Sequence, residues 1–346
     1  MKVSEELLKE LARLSETERT VLSTYLDLGK GWDPVRHFIE KESARLLPVL
    51  NTEEKDYLKT SLSFLSDYLN EKKAKRFQGP GIAFFADLGA DFTRGIELTV
   101  PPEPLLAVDD EAIIHPLALQ LDEFEPIGVI MIDASGARIL IAAGQTIEDI
   151  DSIRKKIHHL SKVGGWSQMR YQRRRDKQIK HFSKDIIDKA IEIFKEAGIK
   201  RIVIAGRNRM ITALEQEFPR AWQDKIIAGV RWDLDTSDNE FLQKIRPMFE
   251  QAEREQEKNL LLKLVAELRR GGLANAGVKQ TLKVLKMGQV HTLLISKGLD
   301  FKTAEELTSL AGATGAYVEF VPKENKTLAK LGGAGALLRW KMTGNR

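Results

Sequence analysis

The residues best suited to chemistry in this chain of 346 lie together, in the run KVGGWSQMRYQRRRDKQIKH over 162–181. Its adjacent glycines, Gly164 and Gly165, admit backbone conformations with positive φ and the close approach of another surface. Behind them Arg170, Arg173, Arg174, Lys177 and Lys180 fall largely along one side of a helix, with Asp176 as the single acid among them. Such a face repels itself unless an anionic partner neutralises it. Between Arg154 and Lys189 stand 12 Lys/Arg and 3 Asp/Glu, a local charge of +9 in a chain whose total is +4 and whose remainder is −5. One reading is a glycine turn followed by a solvated basic helix. The sharper reading is a Gly-Gly tip on a cationic stalk, shaped to enter a narrow cavity lined by RNA, with arginines contacting phosphates and stacking on bases. Trp166, Arg170, Arg173, Arg174, Arg175, Lys177 and Lys180 are then the RNA-binding residues. Trp166 stacks on a nucleotide or packs back on its own domain.

Other chemistries are excluded by composition. The chain contains no cysteine, so disulfides, Cys-ligated zinc, iron–sulfur clusters and thiol nucleophiles are absent. Six scattered histidines show no HExxH spacing, and no cofactor or metal is expected. His158 and His159 read as a helical pair, and His181 as a phosphate contact on the basic helix. No Ser-His-Asp or paired-carboxylate constellation is evident. No apolar run approaches the ~18–20 residues that span a bilayer. MKVSEELLKELARLSETERT reads as an amphipathic helix and not as a signal peptide, so a cytoplasmic protein without a membrane partner is expected.

Hydrophobic residues at 42% and charged residues at 30% describe a globular chain, and its length suggests two or three domains at roughly 100–200 residues each. Leu7, Leu8, Leu11 and Leu14 predict a first helix, VLSTYLDL at 21–28 a strand, and two long helices follow from Pro34 and Glu53. GIAFFADL reads as a strand, and VPPEPLLAV as an extended connection. A boundary is expected near Asp122–Pro126. Beyond it GVIMIDASGARILIAAG is a hairpin signal, turning at Asp133-Ala134-Ser135-Gly136. Ile179, Phe182, Ile186, Ile187, Ala190, Ile193 and Phe194 form a helical stripe ending at Gly198. RIVIAG and KIIAGVRWDL are strands, and a charged helix runs from Asp238 to Arg270. The last third alternates helix and strand, which favours a small α/β sandwich. Gly332-Gly333-Ala334-Gly335-Ala336 lacks the lysine-serine ending of a P-loop and reads as a tight turn. The expected organisation is α/β with three domains, 1–124, 125–248 and 249–346.

Four segments, in order, resemble archaeo-eukaryotic class-1 peptide-chain release factors. GVIMIDASGARIL resembles the opening hairpin of their middle domain, and VGGWSQMRYQRRRDKQIKHF their Gly-Gly-Gln loop with its basic helix. VKQTLKVLKMGQVHTLLIS and GAYVEFVPKENKTLAKLGGAGALLRWKM resemble the two ends of their third domain. About the last two-thirds of the chain is covered. Two departures matter. No Asn-Ile-Lys-Ser decoding motif occurs in 1–124, and the loop's third residue is Trp166, with Gln168 the nearest glutamine. That arrangement, with the VLSTYLDL start, resembles the Vms-like branch of bacterial and archaeal homologues linked to ribosome rescue.

The resemblance implies a central ribonuclease-H-like α/β domain with a protruding Gly-Gly loop and a C-terminal α/β/α sandwich. It implies codon-independent hydrolysis of peptidyl-tRNA at the peptidyl-transferase centre of stalled ribosomes or large subunits. Gly164, Gly165 and Gln168 would be the catalytic residues. A neutral amide both donates and accepts hydrogen bonds without titrating, so it can position water and meet developing charge. Gln168 alternatively is only a polar residue opening a helix, and Gln172 is the reserve candidate. Two other functions stay open: a non-catalytic Pelota-type rescue factor, and a nuclease cutting the tRNA acceptor end. The partners implied are the ribosome and peptidyl-tRNA. Relatives also use the third domain to hold a translational GTPase, which this short version does not by itself imply.

Overall fold

The computed structural model describes residues 4–14, 20–123, 125–133, 136–143, 146–154, 166–232 and 237–340. Helix α1 (Glu5–Leu11) starts at Ser4, whose hydroxyl accepts from the Leu7 N–H, and buries Leu7, Leu8 and Leu11. Strand β1 (Val21–Asp27) leads through α2 (Trp32–Leu46) and α3 (Thr52–Ala74) to β2 (Gly81–Asp87), β3 (Phe92–Leu98) and β4 (Leu105–Asp109). Helix α3 is set by a capping box between Asn51 and Glu54. The strands form an antiparallel sheet of order β3-β2-β1-β4. Leu22, Leu26 and Phe84 on one face pack under Val35 of α2 and Leu58 and Leu65 of α3. Helix α4 (His115–Glu123) closes the segment.

The central segment comprises β5 (Ile127–Ile132), β6 (Gly136–Ala143), β7 (Thr146–Arg154), α5 (Trp166–Glu196), β8 (Arg201–Gly206), α6 (Asn208–Glu217), α7 (Arg220–Gln223) and β9 (Ile226–Arg231), and leads into α8 (Asp238–Arg269). Its sheet has the order β7-β6-β5-β8-β9, with β6 antiparallel to both neighbours and β5, β8 and β9 parallel. That is the expected ribonuclease-H-like arrangement. Helices α5 and α6 cover one face, and Phe241 and Ile245 of α8 cover the other. Arg138 of β6 fixes the start of α8 by two parallel hydrogen bonds to Asp238, each 3.0 Å, and binds Asp149 of β7 at 2.8 Å.

The last segment holds β10 (Ala274–Ala276), α9 (Val278–Lys286), β11 (Val290–Ser296), α10 (Phe301–Thr314), β12 (Tyr317–Val321), α11 (Lys326–Lys330) and β13 (Ala334–Leu338). Its sheet has the order β10-β13-β11-β12, with only β11 and β12 parallel. Gly332 and Gly333, at φ 88° and 81°, make the turn into β13.

Three sheets match the expected α/β class, yet they group into two compact units: 1–124 with 257–346, and 125–256. The first and last segments, expected as separate domains, share one apolar cluster. Tyr25, Phe85, Ile96 and Leu117 belong to it together with Leu293, Leu307, Ala311 and Phe320. The reason is that the first sheet is covered by α2 and α3 on one face only, and its other apolar face needs a cover from elsewhere. Pattern alone does not mark β3, β7 or α4. Edge strands β3 and β7 carry charges where alternation would show, as in TIEDIDSIR. VPPEPLLAV, expected as a connection, supplies β4 from Leu105 onward.

Polar groups tie the shared core. The Glu305 carboxylate accepts the N–H groups of Ile114 and His115 at 2.7 and 2.9 Å. Ser309 donates to Glu111 at 3.0 Å, and the His115 ring packs edge-on against Phe301 and Phe320. Burial lifts Glu305 to about 7 from 4.5, against the pull of its two N–H donors, and lowers His115 to about 4 from 6.5. The two shifts oppose each other. The folded state holds the Glu305 proton more tightly, so that contribution is complete below pH 4.5 and is lost as pH rises through about 7. The His115 contribution is complete above pH 6.5 and is lost as pH falls through about 4. Unfolding by urea should therefore show Glu305→Gln gaining stability relative to wild type as pH rises from about 4.5 to 7. A constant offset between the two profiles would refute this assignment.

Candidate nucleic-acid interface

Helix α5 is two things in succession. From Ile179 onward it is a core helix: Ile179, Phe182, Ile186, Ile187, Ala190 and Phe194 are buried against β5, β6 and β8. Burying each large side chain contributes about 1.5–3 kcal/mol before entropy is counted. Gly128 of β5 permits this seating, since a Cβ there would come within 2.6 Å of the Phe194 ring. Among the described side chains of α5, Ile179 is the first that is buried. The helix from Trp166 to Gln178, ahead of Ile179, is about 20 Å long at about 1.5 Å per residue.

Charges divide at the same place. Toward the rear, cations are answered: Lys180 and Lys184 lie 3.0 and 3.8 Å from Glu217 of α6. Lys189 donates to Asp151 of β7 and holds that carboxyl below its ordinary range. Toward the front, Arg173, Arg174 and Lys177 are exposed and make no ion pair among the described residues. Asp176 binds Arg209 in the first turn of α6. Helix α6 lies along α5 because Met210, Ile211 and Leu214 enter the same core as Ile179 and Phe182.

Gly164 and Gly165, read as the tip, lie outside the described residues, as do His158 and His159. Trp166, Gln168, Arg170 and Gln172 fall on the described backbone of α5, but their side chains, and that of Arg175, lie outside the description. The described part of helix α5 opens at Trp166, with Gln168 its third residue. The helix start presents N–H groups without intrahelical partners and the positive end of the helix dipole. Sequence reasoning missed Arg209. Its available signal was the spacing of Met210, Ile211 and Leu214, which marks α6 as an amphipathic helix beside it. No group of three side chains able to hold a metal occurs among the described residues, and no described helix is long and apolar enough to cross a membrane.

Residues 113–250 match the family described as bacterial archaeo-eukaryotic release factor family 10, and residues 255–342 match eRF1 domain 3. Peptide chain release factor subunit 1 of Methanocaldococcus jannaschii is 25% identical over 322 residues, covering 85% of this chain and 74% of the relative. The same-named protein of Archaeoglobus fulgidus is 24% identical over 306 residues, covering 72% and 75%. Among solved structures, the archaeal termination factor aRF1 aligns over 98% of this chain and 99% of its own, at 20% identity and a TM-score of 0.31. Saccharomyces cerevisiae Dom34, a termination-like factor, aligns over 76% and 80%, at 11% identity and a TM-score of 0.48.

The unanswered cations give a direct test on structured RNA. Replacing Arg173 and Arg174 together by Gln should weaken binding and flatten the slope of log affinity against log salt by about 0.7–0.9 per lost phosphate contact. Thermal stability should be unchanged, because both side chains are exposed. An unaltered slope would leave α5 as a merely solvated helix.

Proposed function

We propose a ribosomal role for this chain, which belongs to the archaeo-eukaryotic release factor superfamily. It acts in the cytoplasm as a codon-independent release factor on stalled ribosomes or large subunits. Its central unit brings Gly164, Gly165 and Gln168 to the peptidyl-transferase centre, and the nascent peptide is freed from its tRNA. The observation that supports this most is the division of α5: exposed Arg173, Arg174 and Lys177, without an ion pair among the described residues, ahead of a firmly docked rear. That form suits a deep, narrow, phosphate-lined channel. The Vms-like reading rests on Gly164-Gly165-Trp166-Ser167-Gln168 and on the lack of an Asn-Ile-Lys-Ser motif in 1–124.

The chemistry asked of the chain is modest. Water attacks the ester carbonyl carbon, the bond to the ribose oxygen breaks, and a proton ends on that oxygen. The amide of Gln168 accepts a hydrogen bond from the water and donates one to the developing negative charge. The start of α5 adds its positive dipole end at the same place. Ribosomal RNA supplies the rest of the surroundings, so no nucleophilic side chain is needed. A translational GTPase forms no part of this reading.

The test is purified protein mixed with large subunits carrying peptidyl-tRNA labelled on both peptide and tRNA. Wild type should release peptide and leave the tRNA at full length. Gln168→Ala should slow release roughly 100–1000-fold, the effect of losing one positioned hydrogen bond worth ~2.7–4 kcal/mol, with subunit binding retained. A shortened tRNA would show a nuclease instead. Release by Gln168→Ala within a few-fold of wild type would transfer the role to Gln172 or to the backbone.

A further inference from the structure

We propose that Asp176 holds, in the free protein, the position that an RNA phosphate takes on binding, and that Arg209 of α6 is a ligand of that phosphate. The inference rests on the ribosomal reading above and adds a second helix to its RNA-binding surface.

Asp176 is the one acid between Arg154 and Lys184, a stretch otherwise rich in cations. On α5 it lies in a row with Arg173, three residues before, and Lys180, four residues after. The row faces α6: Asp176 binds Arg209 near its start, and Lys180 and Lys184 bind Glu217 at its end. The two helices therefore run side by side in the same direction, and the first turn of α6 adjoins Asp176. That turn carries the positive end of the helix dipole, and no side chain caps its N-terminus.

An anion at this point is met by the Arg209 guanidinium, with Arg173 one turn before Asp176 on α5. At present the anion is the Asp176 carboxylate. A guanidinium binds carboxylate and phosphate oxygens with the same planar fork, so phosphate can take over the contact without rearranging Arg209. The exchange is cheap because the pair stands in water: the side chains of Arg209 and Asp176 are 46% and 54% exposed. The alternative, that the pair pins α6 to α5, is weakened by the apolar contacts of Met210, Ile211 and Leu214, which already do so.

The decisive measurement is affinity for large ribosomal subunits across a salt series, for wild type, Arg173→Gln/Arg174→Gln, Arg209→Gln, Asp176→Asn and Asp176→Asn/Arg209→Gln. Arg209→Gln should weaken binding and flatten the log–log salt slope by about 0.7–0.9. Asp176→Asn should tighten binding several-fold at low salt. The double variant carries the wild-type net charge, so a purely long-range effect returns it to wild-type affinity; the proposal requires it to stay weaker, with the flattened slope. Binding by Arg209→Gln or the double variant at wild-type affinity and slope overturns the proposal. If Arg173→Gln/Arg174→Gln also keeps the wild-type slope, the ribosomal reading of α5 falls with it; if that variant alone loses affinity, the reading stands and only the role of Arg209 falls. Arg209→Lys, which keeps the charge, should retain part of the affinity, and matching melting curves exclude loss of fold.

Discussion

The cationic end of the central unit depends on where the apolar stripe of α5 begins. Ile179 is the first described side chain of that helix to enter the core, and everything behind it is anchored on β5, β6 and β8. A helix transmits position over its whole length because each turn is hydrogen-bonded to the next. The docked rear therefore aims the exposed front. Gly128, by admitting the Phe194 ring close to the strand, fixes how near the rear lies to the sheet. The front needs no core of its own, and its residue types can be chosen for an anionic partner alone.

The same division governs electrostatics. Glu217 and Asp151 answer Lys180, Lys184 and Lys189 of the docked part. Exposed pairs of this kind contribute little to stability, whereas Arg173, Arg174 and Lys177 are exposed without an ion pair among the described residues. An anionic surface is thereby attracted to one end of the helix and not along its whole length.

In the other unit the governing constraint is a sheet with two apolar faces. Helices α2 and α3 cover one; the other shares its core with β11, β12 and α10 from the end of the chain. Glu305 joins the two segments by capping the start of α4, which places a carboxylate in a nearly dry setting beside Glu111 and Asp109. Residues 1–124 and 257–346 thus form one unit although 125–256 separate them in the chain.

The basic helix and its apolar stripe were legible in the residues themselves, because period and charge are local properties. So were the central hairpin and the alternation of the last third. The resemblance to release factors likewise rested on contiguous motifs, and the matches over 113–250 and 255–342 support it. Three things were decided only by tertiary structure. The joining of the first and last segments depends on which apolar face lacks a local cover, and no window of sequence reports that. The docking of α5 on β5, β6 and β8 depends on strands from both sides of it in the chain. The meeting of Arg209 with Asp176 depends on α5 and α6 lying side by side, 33 residues apart in the chain. Local pattern determines which elements form and which faces they bury; contacts between distant residues exist only once those faces have found each other.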